Sequence, residues 1–410
     1  MSETHCWSLN CSLLTPISIM SLVSLKSLVN EGKRKAKAIE DRQLERSEND
    51  DEAGRLEGVI AARFEADEAF EEFTGFDAPM ITHWAEIMLP FALNARKRGP
   101  APKSSLADAL ICYLVMFNVN ADIPTLSKTL GLQEAQFSGN VERVRGILNS
   151  ALKTKWPALA PRPLDDDERP IDEVGLLVDT TTVECFKPKA RFGEAKHYFD
   201  GHHFVYGLKT EIAITSARPH VFVAKSPYYP GSVSDYTIHK ENYGRYYDYL
   251  HKTPDERHWN RDDPREPNWA ILADKMYVGP AADTPHIRRI TPIKGAKITP
   301  QQKATNKEKS KARVYIECFF GRLYRKFPMF SGIYKLDHQN FDMDFENACL
   351  LINEDITVSA LAIKDGEFYQ KLLDERLERY HNEEKKRKAD YEKFKKSKRA
   401  KLEKVAKYIG

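Results

Sequence analysis

The chain has 410 residues, which is long enough for two or three domains, with 41% hydrophobic and 30% charged residues. Its six cysteines are scattered without a CxxC pair, which argues against a zinc ribbon or a disulfide framework and favours a reducing compartment. The net charge is +3, but residues 381–410 contain 12 Lys/Arg and 5 Asp/Glu, so the remaining chain sums to −4. The basic character therefore belongs to the C-terminal tail.

The N-terminal segment carries no recognisable chemistry. Residues 12–29 are apolar but rich in Ser and interrupted by Pro16 and Lys26, which makes them a poor membrane span and a poor signal peptide. We therefore expect no membrane partner. The next residues, to about 76, are charged and helix-prone. Residues 1–85 are interpreted as a leader followed by a charged helical segment.

A helical region is predicted over residues 86–160. Apolar residues recur at helical spacing after Ser104 and Ser105, either of which could cap the helix. A helix over 123–132 that turns at Gly131, followed by a helix over 133–148, has the outline of a helix-turn-helix. Base contacts would then come from Gln133, Gln136, Asn140 and Arg143. The alternative is a helical cap on the following domain.

The helical region is followed by a predicted linker and then by predicted strands and helices. Residues 161–171 form a predicted linker. It overlaps a stretch from Pro157 to Pro170 that holds four prolines and an acidic run. Beyond it, strands are predicted at 175–179, 183–187, 204–215, 220–227, 269–274 and 289–294, and helices at 235–250, near Tyr277 and from Pro300 to about Phe327. This order predicts an α/β fold with a ribonuclease H-like mixed sheet flanked by helices.

Three acidic residues stand out in this part of the chain. Asp179 and Asp274 each end an apolar run that is predicted to be a strand, and Glu317 borders the apolar stripe of the last helix. Mg²⁺ prefers hard oxygen ligands, and a pair of such ions needs carboxylates from several elements at one place. Taken singly, each acid could equally be a solvated turn or helix-surface residue.

Other polar residues compete for the same role. Asp235 is an alternative acid, although Ser232 and Asp235 could simply cap the following helix. Glu184 and Glu211 lie on predicted strands and could face the same cleft. Without partner cysteines, a hairpin turn is favoured over a zinc site for three nearby histidines, His197, His202 and His203.

Five short segments occur in a characteristic order: Val-Asp-Thr-Thr-Thr at 178–182, Tyr-Gly-Leu-Lys at 206–209, Pro-Gly-Ser-Val-Ser-Asp at 230–235, Leu-Ala-Asp-Lys-Met-Tyr at 272–277, and Arg-Val-Tyr-Ile-Glu-Cys-Phe-Phe-Gly at 313–321. The set resembles DDE-type transposases of the PIF/Harbinger superfamily over roughly residues 172–361. The chain departs from the family where histidines are common, at Thr181 or Thr182 and at Ser234.

The resemblance implies a DDE catalytic domain over residues 172–365. It implies that Asp179 bridges two divalent ions, Mg²⁺ or Mn²⁺, while Asp274 holds one and Glu317 the other. The implied activity is cleavage and strand transfer of DNA at transposon ends and target sites. The implied partners include a separate Myb-like DNA-binding protein and further copies of the chain. Candidate phosphate contacts are Lys209, Lys275, Lys294 and Arg313.

Residues 366–410 are predicted to form a basic helical tail. Clusters at 385–388 and 395–401 are typical of nuclear localisation or nonspecific DNA binding, and a solvated helix face is the alternative. A nuclear location is expected in a eukaryotic host and a cytoplasmic one otherwise. Two other hypotheses remain open: a domesticated, catalytically silent DNA-binding protein with the same fold, and a hydrolase of unrelated fold.

Overall fold

The computed structural model describes residues 69–409 except 95–103, 157–170, 172, 190, 253–267, 285, 294 and 296. Most of the predicted leader and linker therefore lie outside the described residues. The chain divides into two compact units. The helical unit comprises Met1–Ala158 and Lys326–Leu351, and the sheet unit comprises Leu159–Arg325 and Ile352–Gly410.

The helical unit is built from amphipathic and buried helices. Its elements are α1 (Ala69–Thr74), α2 (Ala78–Asn94), α3 (Leu106–Val119), α4 (Ile123–Leu130) and α5 (Glu134–Lys155), and later α10 (Pro328–Ser331), strand β8 (Ile333–Tyr334) and most of α11 (His338–Val358). The Ser105 hydroxyl accepts a hydrogen bond from the Asp108 amide and caps α3, as predicted. Gly131 ends α4 in the left-handed region at φ 71°, which glycine adopts without strain.

A buried polar cluster ties the two segments of the helical unit together. The Asp344 carboxylate is fully buried and accepts hydrogen bonds from Tyr113 Oη at 2.6 Å, Arg145 Nε at 2.7 Å and Tyr334 Oη at 2.9 Å. A buried charge is tolerated when it is paired and hydrogen-bonded in this way. The cluster therefore fixes α11 against α3 and α5.

The sheet unit contains an open mixed sheet with helices against it. Its strands are β1 (Val174–Cys185), β2 (Phe199–Asp200), β3 (Val205–Thr215), β4 (Phe222–Lys225), β5 (Tyr229–Pro230), β6 (Ala270–Leu272) and β7 (Arg289–Ile290). Its helices are α6 (Phe192–His197), α7 (Asp235–Asn242), α8 (Gly244–Leu250), α9 (Pro300–Lys326) and α12 (Ile363–Ile409), together with the end of α11.

The strand order is β2-β3-β1-β6-β7, and β4 and β5 also pair with β3. Strand β1 is antiparallel to β3 and parallel to β6, which is in turn parallel to β7. The two strands predicted at 175–179 and 183–187 are one strand, because the buried threonines 180–182 are β-branched and continue the ladder with β3. The predicted helix over 235–250 is divided at Tyr243.

Helix α12 has two different halves. Near its start, Tyr369 and Arg376 are buried, and the Arg376 side chain donates to the Thr182 carbonyl on β1. From His381 onward nearly every described side chain is exposed, including Phe394 at 64%. Among the helices that the structure describes, none combines the length and the hydropathy that a membrane crossing requires.

The close contact between α9 and the start of α12 yields a stability prediction. A Cβ atom on Gly321 would overlap the carbonyl oxygen of Asp365. Because backbone cannot move aside as a side chain can, we expect Gly321→Ala to lower the free energy of unfolding by about 1–3 kcal/mol. Chemical denaturation measures the change.

Gly193→Ala is the matched control, since a Cβ atom at that exposed helical position meets no atom within 4 Å. It should leave the unfolding midpoint unchanged or raise it slightly, because alanine favours the helix over glycine. Equal effects of the two substitutions would contradict the proposed contact.

Candidate active site

Strand pairing places two of the predicted acidic residues level with each other. Leu177 on β1 is paired with Leu272 on the parallel strand β6. Asp179 and Asp274 each follow two residues later, and side chains two residues apart lie on the same face of a sheet. The two carboxylates therefore lie side by side where β6 ends. Asp274 also begins a short 3₁₀ turn and caps it by accepting the Lys275 amide.

Helix α9 adds the third acid and a cation. Arg313 and Glu317 are four residues apart and share one face of the helix. One terminal nitrogen of Arg313, Nη2, lies 2.9 Å from Asp179 Oδ2 and 3.4 Å from Glu317 Oε1. The other, Nη1, lies 3.4 Å from Asp274 Oδ1. The three predicted carboxylates thus converge on a single guanidinium group.

The charges in this cluster perturb one another. Burial raises the pKa of Asp179 to about 6, Arg313 opposes that shift, and Asp235 and Asp274 add to it. Burial likewise raises the pKa of Glu317. Arg313 opposes this shift, and Asp274 adds to it. Burial lowers the pKa of the Arg313 guanidinium, but the three carboxylates outweigh burial and raise it. Strongly interacting titratable groups at one place are typical of functional sites.

A second buried ion cluster lies on β2 and β3, and its central acid, Asp200, was missed by the sequence analysis. Lys209 Nζ lies 3.1 Å from Asp200 Oδ2 and 3.3 Å from Asp235 Oδ1. Asp200 also accepts hydrogen bonds from His203 Nδ1 and from the Thr182 hydroxyl. Burial raises the pKa of Asp200, but His203, Lys209 and Thr182 together outweigh it and hold that pKa well below its usual range.

The other predicted acids have structural partners. Glu211 is fully buried and accepts hydrogen bonds from Tyr246 Oη at 2.6 Å and His239 Nδ1 at 3.1 Å. Glu184 pairs with Arg379 of α12 at 2.5 Å. Asp235 is the first residue of α7, whose N-cap is Ser234 and not Ser232. His202 and His203 lie in the turn before β3, as predicted, whereas His197 is the last residue of helix α6.

The predicted phosphate contacts lie in different environments. Lys275 is exposed beside Asp274, and Arg313 belongs to the carboxylate cluster. Lys209 is only 5% exposed and lacks the accessibility that a phosphate contact needs. Lys294 lies outside the described residues.

The residues predicted to contact bases lie on α5 or just before it. Gln136 Nε2 donates to Ser104 Oγ at 3.2 Å, and Arg143 Nη1 donates to the Ser104 carbonyl at 2.9 Å. Asn140 is buried against α3 and lacks the exposure that a base contact needs. Gln133 is exposed. Helices α4 and α5 flank the turn at Gly131, and their assignment as a DNA-binding helix-turn-helix stays a prediction.

The three carboxylates are candidate ligands for a metal ion. Among the residues that the structure describes, no group of three or more His, Cys, Asp or Glu side chains is arranged to hold one. The donor set nevertheless fits hard divalent ions, because three carboxylates from three elements already face one shared cation.

Comparison with known proteins agrees with this arrangement. Residues 178–353, which contain all three carboxylates, match the family described as DDE superfamily endonuclease. The chain is also 20% identical over 294 residues to a protein of Microchaete diplosiphon described as a probable transposase for insertion sequence element IS702, covering 71% of this chain and 95% of that protein. No solved structure matches the chain. Residues 178–353 are therefore similar to DDE superfamily endonucleases, and the chain as a whole has weak similarity to a probable transposase.

Proposed function

We propose that the chain is a DDE-type transposase or a transposon-derived endonuclease that cleaves DNA phosphodiesters and transfers strands with the help of two divalent ions. The observation that carries this proposal is the convergence of Asp179, Asp274 and Glu317 on Arg313. The match of residues 178–353 to the DDE superfamily endonuclease family supports it independently.

In the proposed reaction, the acidic residues would bind metal ions and the basic residues would bind phosphate. Asp179, Asp274 and Glu317 would together hold two divalent ions, Mg²⁺ or Mn²⁺. Such ions activate a water nucleophile and stabilise the charge that develops on the leaving 3′ oxygen. Lys275, which is exposed, and Arg313, which is half-buried, would hold phosphate oxygens near the carboxylates. No covalent enzyme intermediate is required.

We further propose that the domain is ribonuclease H-like. The support is the strand order β3-β1-β6-β7, in which β3 is antiparallel and the other three strands are parallel to one another. Ligands bind outside the carboxyl ends of parallel strands in open α/β sheets, which is where Asp274 lies.

The assignment to a particular superfamily rests on the sequence segments around the three acidic residues. The segments around Asp179, Asp274 and Glu317 favour the PIF/Harbinger superfamily, with its possible Myb-like partner and self-association. Transposon ends and target DNA would be the substrates, and the basic clusters of α12 favour a nuclear location in a eukaryotic host.

The first test of this function replaces the Asp179 carboxylate. We expect Asp179→Asn to lower the rate of DNA cleavage at least about 100-fold, because metal ions supply several kcal/mol of transition-state stabilisation. DNA binding should persist or tighten slightly, because a negative charge that repels phosphate is removed. The substrate is a supercoiled plasmid carrying the genomic DNA that flanks the coding sequence, with Mg²⁺ or Mn²⁺ added.

Glu184→Gln is the matched control, because it removes a carboxylate from the same strand that pairs with Arg379 instead of Arg313. Its cleavage rate should stay within a few-fold of the wild type. Cleavage by Asp179→Asn at the wild-type rate, or by the wild type in EDTA, would refute the metal mechanism.

The second test concerns the exposed half of α12. Deleting residues 383–410 removes 12 Lys/Arg and 5 Asp/Glu. We expect weaker nonspecific DNA binding and a flatter dependence of the binding constant on salt, because fewer counterions are released from the phosphates. The melting temperature should hold, since the buried residues of α12 precede the deletion. Filter binding across a salt series measures the slope.

The control for the deletion replaces the exposed apolar residues Tyr391, Phe394 and Leu402 with Ser in the full-length chain. These changes leave every charge in place, so the salt dependence should not change. Identical slopes for the deletion and the wild type would show that α12 is only a solvated helix beyond residue 382.

A further inference from the structure

The Arg313 guanidinium lies among the three carboxylates that are proposed to hold the metal ions. Its two terminal nitrogens lie 2.9–3.4 Å from oxygens of Asp179, Asp274 and Glu317. Only 18% of the Arg313 side chain is exposed. A cation at this point neutralises part of the negative charge that the three acids concentrate there.

Arg313 is held less completely than a structural arginine of the same helix. Its Nε atom is buried without a hydrogen-bond partner, which is costly for a charged donor. Arg322, nine residues later, bonds through Nε to Asp365 and through its terminal nitrogens to Asp355, Asp365 and the carbonyls of Ser359 and Ala360. The contrast marks Arg322 as structural and Arg313 as a cation with unsatisfied bonding capacity.

Arg313 contacts one oxygen of each carboxylate, so a divalent ion would compete with the guanidinium for these oxygens. A metal ion that takes them would release Arg313, whose positive charge then needs another anion. A DNA phosphate fits this need, because arginine binds phosphate through two parallel charge-assisted hydrogen bonds. Binding of the metal and binding of DNA should therefore favour each other, and such coupling is reciprocal.

We propose, resting on the function proposed above, that Arg313 is a resident counter-ion that makes metal loading depend on DNA. Without DNA, the guanidinium competes with divalent ions for the three carboxylates and keeps metal affinity low. With DNA, a phosphate takes up Arg313 and frees the carboxylates. The residue would thereby limit loading of the nuclease site away from its substrate.

Direct metal binding tests this proposal without a cleavage assay. The full-length wild type and Arg313→Gln are titrated with Mn²⁺, and free Mn²⁺ is measured by electron paramagnetic resonance. We expect Arg313→Gln to bind Mn²⁺ at least about tenfold more tightly without DNA, because the competing cation is gone. Mn²⁺ should also raise the melting temperature of this variant more than that of the wild type.

A second arm repeats the titration with a short duplex of unrelated sequence, corrected for Mn²⁺ bound by the duplex alone. The duplex should raise the Mn²⁺ affinity of the wild type several-fold and leave that of Arg313→Gln nearly unchanged. The matched control is Arg379→Gln, which removes one positive charge from an ion pair with Glu184 on the same unit. It should behave as the wild type in both arms.

The outcomes separate the two proposals. Equal or weaker Mn²⁺ affinity in Arg313→Gln without DNA would overturn the counter-ion role while leaving a metal-dependent nuclease intact. If Arg379→Gln gained as much Mn²⁺ affinity as Arg313→Gln, the gain would come from the change in overall charge. That result would also overturn the counter-ion role. Absence of Mn²⁺ binding by every variant, with or without the duplex, would refute the metal mechanism itself.

Discussion

The concentration of three carboxylates around one guanidinium is the constraint on which the sheet unit depends. Asp179 and Glu317 are partly buried, and burial penalises their charged forms, as the raised pKa of each shows. Replacing a buried ion cluster by apolar residues is often neutral or stabilising, so stability alone does not account for this cluster. In the proposed function, three acids with a single Arg313 meet a requirement for negative charge at this place.

The surrounding structure holds this unfavourable cluster together. The pairing of Leu177 with Leu272 fixes two of the carboxylates at one level, and helix α9 must then present Glu317 opposite them. Gly321, one turn later, lies directly against the backbone of Asp365, while the Asp365 carboxylate is bonded by Arg322. The start of α12, at the last residue of the predicted catalytic domain, therefore anchors α9.

Local sequence patterns predicted the helices and strands well, but they predicted the contacts between side chains poorly. Apolar runs ending in Asp179 and Asp274 predicted strand ends, and helical spacing predicted α9, because both signals are local. Nothing local distinguishes Asp200, whose importance comes from Lys209 on a neighbouring strand. The burial of Asn140 also depends on packing of α5 against α3, so propensity and spacing alone could not reveal it.

The balance of charge separates the acids that could bind metal from those that support the fold. Asp200 and Asp235 share Lys209, which leaves this group with one net negative charge, and His203 adds a hydrogen bond to Asp200. The other three carboxylates share only Arg313 and remain two charges short of neutrality. In the proposed function, two divalent ions replacing that arginine would turn three negative charges into one net positive charge, which a single DNA phosphate then neutralises. A deficit of positive charge that only cofactor and substrate together can correct is the property expected of a site that acts on DNA.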